Sequence, residues 1–221
     1  MRRTARRNAP LFLGSALLLA ACGNLRQGDE IPVGTSASER LAEARTVAVA
    51  YLPDGMLCEA LGLDYGPTFG DGRCPDWTYT FYSAVAASVF RVHLGPDGLL
   101  TPLGEPEKLL PGQSPFGKPF GEPLGGPPAW DGDFFIDSDF AAKSARMASA
   151  SRSASRGAVG ILSEGTPVSE RLRLCARGFP DGVKPVWELT YTVRGASGFK
   201  TQTVTVDAAT GRMLENEPFF E

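Results

Sequence analysis

Five stretches of the chain alternate apolar and polar residues with a period of two, the mark of strands with one buried face. In "DWTYTFYS" (76–83), Trp77, Tyr79 and Phe81 alternate with Thr78, Thr80 and Tyr82. In "VFRVHL" (89–94), Phe90, Val92 and Leu94 share one face while Arg91 and His93 take the other. "ERLRLCA" (170–176) sets Leu172 and Leu174 against Arg171 and Arg173. "VWELTYTVR" (186–194) sets Trp187, Leu189, Tyr191 and Val193 against Glu188, Thr190, Thr192 and Arg194. After the turn "GASG", the stretch "KTQTVTVDAATGRML" (200–214) supplies a returning arm, with Val204 and Val206 expected to face Leu189 and Tyr191.

Two stretches follow the helical period instead. Ser36-x-x-Glu39 is a capping box, and behind it Leu41, Ala44, Ala48 and Tyr51 fall on one stripe with Val47 beside it. "IDSDFAAKSARMASAS" (136–151) opens with Asp and Ser cap candidates and places Phe140, Ala141, Ser144, Met147 and Ala148 at helical spacing. Between the halves, residues 111–127 repeat every four positions, "PGQSPFGKPFGEPLGGP". Proline removes donors and fixes φ, so this stretch is neither helix nor central strand. It reads as a spacer whose Phe116, Phe120 and Leu124 tuck against a domain, in preference to a docking ligand. The expected fold is α+β, with two small units joined by a Pro/Gly-rich linker, each unit a helix packed on a short antiparallel sheet. The expected boundaries are 36–104, linker 105–132 and 133–221. Both units run helix, Cys-containing middle, Trp-led strand, return strand and Asp/Gly turn, so the order looks like an internal repeat.

The N-terminus reads as an address. Residues 1–8, "MRRTARRN", hold four arginines, and an apolar run from Leu11 to Ala21 follows that is too short to span a bilayer. It ends in "LAAC" before Gly23, which resembles the lipobox of bacterial lipoproteins. The resemblance implies a signal peptide over 1–21, lipidation of Cys22 and a tether over 22–35. It also implies an extracytoplasmic, envelope-anchored protein at the outer membrane or cell surface. Removing 1–21 leaves 18 basic against 25 acidic residues, a formal charge of −7, which does not suit a nucleic-acid partner.

The other cysteines are Cys58, Cys74 and Cys175. In an oxidising compartment at least one disulfide is expected. Of the three pairings, Cys58–Cys74 is favoured because it closes a loop of Gly, Pro and Asp, worth roughly 3 kcal/mol.

The second half resembles a PepSY domain. A helix near "IDSDFAAKSA", a Trp-led strand "PVWELTY" and an arm ending "VTVDAATGRML" carry the likeness, with Trp187, Asp207, Thr210 and Gly211 as its signature. The first half has "LGPDGLLT" where the Asp-x-x-Thr-Gly turn would stand. The resemblance implies binding or restraint of peptidases and transfers no catalytic residue.

Candidate chemistry is thin. His93 is the single histidine, so a histidine-based metal cluster is excluded, and it falls mid-strand on the polar face. In "DGDFFIDSD", Asp131, Asp133, Asp137 and Asp139 suggest calcium, yet Phe135 and Ala142 stand where an EF-hand loop needs oxygen ligands. Carboxylates favoured at a helix start explain them better. Lys143, Arg146, Arg152, Arg156, Arg171, Arg173 and Arg177 could form a cationic patch, although a scattered solvated face is the simpler account. No catalytic, cofactor or metal site is expected. The reading is a non-enzymatic, lipid-anchored envelope protein that binds a protein or peptide, a secreted peptidase among the candidates. The surface singled out for this is Glu188, Thr190, Thr192, Thr203 and Thr205. The alternatives are a structural or assembly lipoprotein of the outer membrane and, third, a carboxylate- or calcium-dependent hydrolase.

Overall fold

The alternating stretches, and one stretch with little alternation, all join one antiparallel sheet. The computed structural model describes residues 34–64, 71–110, 135–156, 166–179 and 182–220. Cys22, the spacer 111–127, Asp131 and Asp133 lie outside them. The strands are β1 (Met56–Asp64), β2 (Asp76–Ser83), β3 (Ser88–Leu94), β4 (Leu100–Pro102), β5 (Glu107–Lys108), β6 (Thr166–Phe179), β7 (Gly182–Gly195), β8 (Gly198–Asp207) and β9 (Met213–Phe220). Their order is β4-β3-β2-β1-β6-β7-β8-β9, with β5 also pairing with β3. Helix α1 (Leu41–Val49) packs on β2, β3 and β4, and α2 (Ser138–Arg156) on β7, β8 and β9.

Each helix therefore covers its own strands, but the halves share one sheet and one core where two sheets joined by a linker were expected. The join is β1, which pairs with β2 on one side and β6 on the other. "MLCEALGLD" overlaps the loop expected between Cys58 and Cys74, and it carries apolar residues on both faces, so it lacks the alternation that marks the other strands. β5 extends the sheet into the stretch assigned to the linker.

The strand registers define a local two-fold axis at the Leu61–Arg173 pair. Ala60 faces Leu174 and Gly62 faces Leu172 across β1–β6. Gly62 also faces Trp77, and Leu174 faces Trp187, so these positions correspond between halves. Beyond them, Trp77 faces Leu94 and Trp187 faces Val206. The two indoles meet edge to face near this axis, centroids 6.3 Å apart at 75°. Each donates its Nε1 hydrogen to the carbonyl just ahead of a helical segment, Trp77 to Thr35 and Trp187 to Ile136, both at 2.9 Å.

Asp137 ties the helix starts together. Its carboxylate accepts from Ser36 Oγ (2.5 Å), Ser38 N (3.1 Å), Ser138 N (2.7 Å) and Ser38 Oγ. Ser138 Oγ accepts from Ala37 N at 2.9 Å. The capping box is accordingly half formed. Ser36 N donates to Glu39 Oε2 (3.3 Å), while the Ser36 hydroxyl goes to Asp137 and α1 begins only at Leu41.

Helix α2 buries a different stripe from the one its spacing suggests. Ala141, Ala142 and Ala145 face the sheet, whereas Phe140 and Met147 are 53% and 66% exposed. Small residues let the helix sit close to the strands, and Phe140 is displaced over the turn at Gly211. In the returning arm, Val204 faces Leu189 but Val206 faces Trp187, while Tyr191 faces Gln202.

No disulfide links the described cysteines: Cys58, Cys74 and Cys175 are buried free thiols. The Cys74 sulfur lies 2.9 Å from where a Cβ on Gly62 would stand. Gly62 is four residues along β1 from Cys58, about 13 Å at strand spacing, beyond the reach of a disulfide. Burial pushes the Cys58 and Cys74 thiols far above their usual range, and the Glu170 and Asp64 charges add to this at Cys74. Gly62 is needed for packing, since a Cβ there would also lie 2.7 Å from the Trp77 ring. Gly62→Ala is expected to cost about 1–3 kcal/mol by overpacking, read as a lower urea midpoint at unchanged slope. An unchanged midpoint would mean that Trp77 and Cys74 move aside freely.

Candidate functional site

With both helices on the side of Trp77 and Trp187, alternation places most of the polar strand residues on the other side. Among the described residues no helix lies over that face. It is organised around cross-strand pairs. Arg173 Nε reaches Glu59 Oε1 at 2.6 Å and its Nη1 reaches Glu188 Oε2 at 3.4 Å. Arg177 lies 3.9 Å from Glu188 Oε1 and 2.9 Å from Glu215 Oε2. The result is an alternating ribbon, Glu59–Arg173–Glu188–Arg177–Glu215, running from β1 to β9. Beside it Thr190 and Thr203 share a hydrogen bond at 3.2 Å, and Thr192 and Thr201 share one at 3.3 Å.

Partly exposed ion pairs of this kind contribute about 0–1 kcal/mol each, so their main effect is to fix the positions of charges. A surface whose long side chains are already ordered loses less entropy on meeting a partner. Four of the five residues singled out from sequence, Glu188, Thr190, Thr192 and Thr203, lie half-buried on this face. Thr205 shares the face but is fully buried, its hydroxyl 3.1 Å from Arg177 Nη1, so it cannot meet a partner directly. Cys175 lies beneath the ribbon, its thiol pushed up to about 12 by burial and then by Glu188, which keeps it protonated and unreactive.

The other sequence candidates divide between the faces. Lys143 and Arg146 are exposed on α2 while Arg173 and Arg177 are paired on the opposite side, so these four do not form a single cationic patch, and the side chains of Arg152 and Arg156 lie outside the description. His93 Nδ1 lies 3.5 Å from Asp76 Oδ1 near the β3 end of the polar face. Asp139 accepts from Phe140 N at 2.6 Å, which, with the Asp137 bonds, places these two acids at the start of α2. Asp207 Oδ1 accepts from Ala209 N and Thr210 N, both at 2.9 Å. Gly211 completes the turn at φ +73°, where Phe140 covers it.

Sequence reasoning missed Glu59, within the supposed loop, and a buried acidic pair on the helix side. Asp64 and Glu170 face each other across β1–β6 and are 1% and 0% exposed. Tyr191, in contact with Glu170, has its hydroxyl pushed well above the usual tyrosine range by burial and then by that carboxylate. Two facing carboxylates are the raw material of a hydrolase, but neither is open to a substrate. Among the described residues no group of three or more His, Cys, Asp or Glu side chains could hold a metal ion. No helix among them is long and apolar enough to cross a membrane.

No family profile matches the chain, and no curated protein matches it. A solved structure of a candidate lipoprotein from Clostridium difficile 630 is similar over 88% of this chain and 97% of its own, at 14% identity and a TM-score of 0.42, a level that carries no functional weight.

Proposed function

We propose that this chain is a non-enzymatic, lipid-anchored envelope protein that binds a protein or peptide through the face of its sheet opposite the two helices. A secreted peptidase, restrained or regulated by the contact, is the partner class to test first. The observation that carries the reading is a ribbon of charges paired in advance that crosses this face from β1 to β9. The Asp207–Gly211 turn and the Trp-led strand β7 support the PepSY-like reading of the second half. "LAAC" supports lipidation at Cys22.

The test uses the full-length chain, immobilised in mild detergent and exposed to envelope extract and to purified secreted peptidases. The double variant Thr190→Arg/Thr203→Arg should weaken capture of a specific partner by about tenfold or more, through bulk and unpaired charge at the interface. Phe140→Ala, on the other side of the sheet, should leave capture unchanged. Capture indifferent to the face variants, or none at all from a folded chain, would count against the proposal. Palmitate labelling lost in Cys22→Ser tests the anchor. A deletion strain with outer-membrane permeability defects but normal proteolysis would favour the assembly reading instead.

A further inference from the structure

Helix α2 turns its small residues inward and its large apolar ones outward. Ala141, Ala142 and Ala145 are buried against the sheet, while Phe140 is 53% and Met147 66% exposed. Seven residues make two turns, so these two side chains share one outer stripe. Lys143 and Arg146 flank the stripe, both exposed, and exposed Arg212 follows Gly211, the residue that Phe140 covers. From Phe140 to Arg156 the helix carries Lys143, Arg146, Arg152 and Arg156 and no acid. Its one acid, Asp139, stands in the first turn, at the positive end of the helix dipole. Among the described residues Lys143, Arg146 and Arg212 form no ion pair, in contrast to Arg173 and Arg177 on the other face of the sheet.

The chain outside the structure enters at the start of this helix. Ser36 Oγ lies 2.5 Å from Asp137, and Ala37 N donates to Ser138 Oγ at 2.9 Å. Twelve residues separate Cys22 from Thr35. They span at most about 45 Å when fully extended. A lipid on Cys22 therefore holds the start of α2 close to a bilayer.

We infer that the outer stripe of α2 docks on an anionic lipid bilayer, with Phe140 and Met147 at the headgroup–acyl boundary and Lys143, Arg146 and Arg212 on lipid phosphates. The inference rests on the anchor at Cys22 proposed above. A helix with Phe on one face and Lys and Arg beside it is suited to lie in the plane of the interface, and cations close to an anionic leaflet add to the attraction. Two apolar side chains are a narrow stripe, short of the area that a stable protein interface buries. For a bilayer a weak contact is enough, because the tether makes docking intramolecular. Docked in this way, the polar face of the sheet points away from the membrane and stays open to a partner.

The test uses the mature chain, 22–221, whose core lies within residues 37–213. Cys58, Cys74 and Cys175 are buried, so a maleimide lipid is expected to couple at Cys22. Coupling imposes the anchor, so a failure here is separate from a failure of palmitate labelling in the cell. The vesicles are phosphatidylcholine with about a quarter phosphatidylglycerol, with bromine on the acyl chains as a quencher. Phe140→Trp reports depth, read as the difference from wild type, which has three tryptophans of its own. Its added emission should fall about twofold or more on anionic vesicles and change little on phosphatidylcholine alone. Val85→Trp, at a turn residue 89% exposed and eight residues along β2 from Trp77, should stay unquenched. Lys143→Glu/Arg146→Glu, placed in the Phe140→Trp chain, should reduce the docked fraction about tenfold or more. Lys143→Glu alone should reduce it about threefold or more, and decides the matter if the double variant loses its native circular dichroism. Unquenched Phe140→Trp, equal quenching at Val85→Trp, or quenching indifferent to charge reversal would overturn the proposal. So would a dimer in solution that Phe140→Ala dissociates, or capture of a protein that Phe140→Ala weakens, since either gives the stripe a protein occupant.

Discussion

Trp187→Ala is expected to leave the chain largely unfolded at 37 °C. The side chain is fully buried. Its ring packs edge to face on Trp77 at 6.3 Å and on Phe135 at 6.2 Å. Removing it opens a cavity at the junction of the two halves, a change that costs about 3–5 kcal/mol. The Ile136 carbonyl, 2.9 Å from the indole nitrogen, also loses its donor, adding about 1 kcal/mol. Domains are stable by only about 5–15 kcal/mol, so the sum takes a third of the margin at the high end of that range and nearly all of it at the low end. Trp187→Phe keeps much of the volume and loses the N–H, and should fall between wild type and alanine. Urea denaturation followed by circular dichroism measures all three. A loss below about 1.5 kcal/mol for the alanine variant would mean that the two halves are held together elsewhere.

How much of this junction could be read in advance depends on which residues mark it. Trp77 and Trp187 stand out because each leads a clean alternation, and both are core residues of β2 and β7. Their meeting could not be read, because it depends on β1, whose apolar run lacks a period. Once β1 is a central strand, Leu61 and Arg173 become opposite neighbours and the repeated order of elements turns into a two-fold arrangement. The linker between the halves drew attention to separate units, yet chain connectivity says nothing about which strand edges pair. The Cys58–Cys74 expectation failed for the same reason: a loop between two cysteines can be bridged, but a strand holds them apart.

The polar face was partly legible. Strict alternation in β7 and β8 places Glu188, Thr190, Thr192 and Thr203 together with no knowledge of topology. What alternation cannot say is how long side chains on neighbouring strands cover short ones. Thr205 is flanked by Glu188 on β7 and Glu215 on β9, and Arg177 reaches across to both acids and to the Thr205 hydroxyl. The threonine is sealed beneath that ion pairing. The partners of Arg173 were hidden because Glu59 lay in the unrecognised strand. A run of arginines that looks cationic along the sequence is thus close to neutral in space, which argues against recognition of a polyanion on this face.

Asp137→Ala is the second large effect expected, because one carboxylate serves both helix starts. Five donors converge on it, Ser36 Oγ, Ser38 N, Ser38 Oγ, Ser138 N and Ser138 Oγ. An ordinary N-cap substitution costs about 1 kcal/mol, and here a second helix start loses its acceptor at the same time. The expected loss is about 2–4 kcal/mol, counting the donors left without an acceptor. Ser36→Ala removes one of the five donors and should cost about 0.5–1.5 kcal/mol. Because the two residues share a bond, the double variant should be less destabilised than the sum of the singles, by about 0.5 kcal/mol or more. Strict additivity would show that Ser36 and Asp137 act independently. Hydrogen exchange adds a local reading: Ser38 and Ser138 amides should lose protection together in Asp137→Ala, since one acceptor holds both. If only Ser138 responds, Asp137 caps α2 alone and the seam between the halves is carried by the tryptophans.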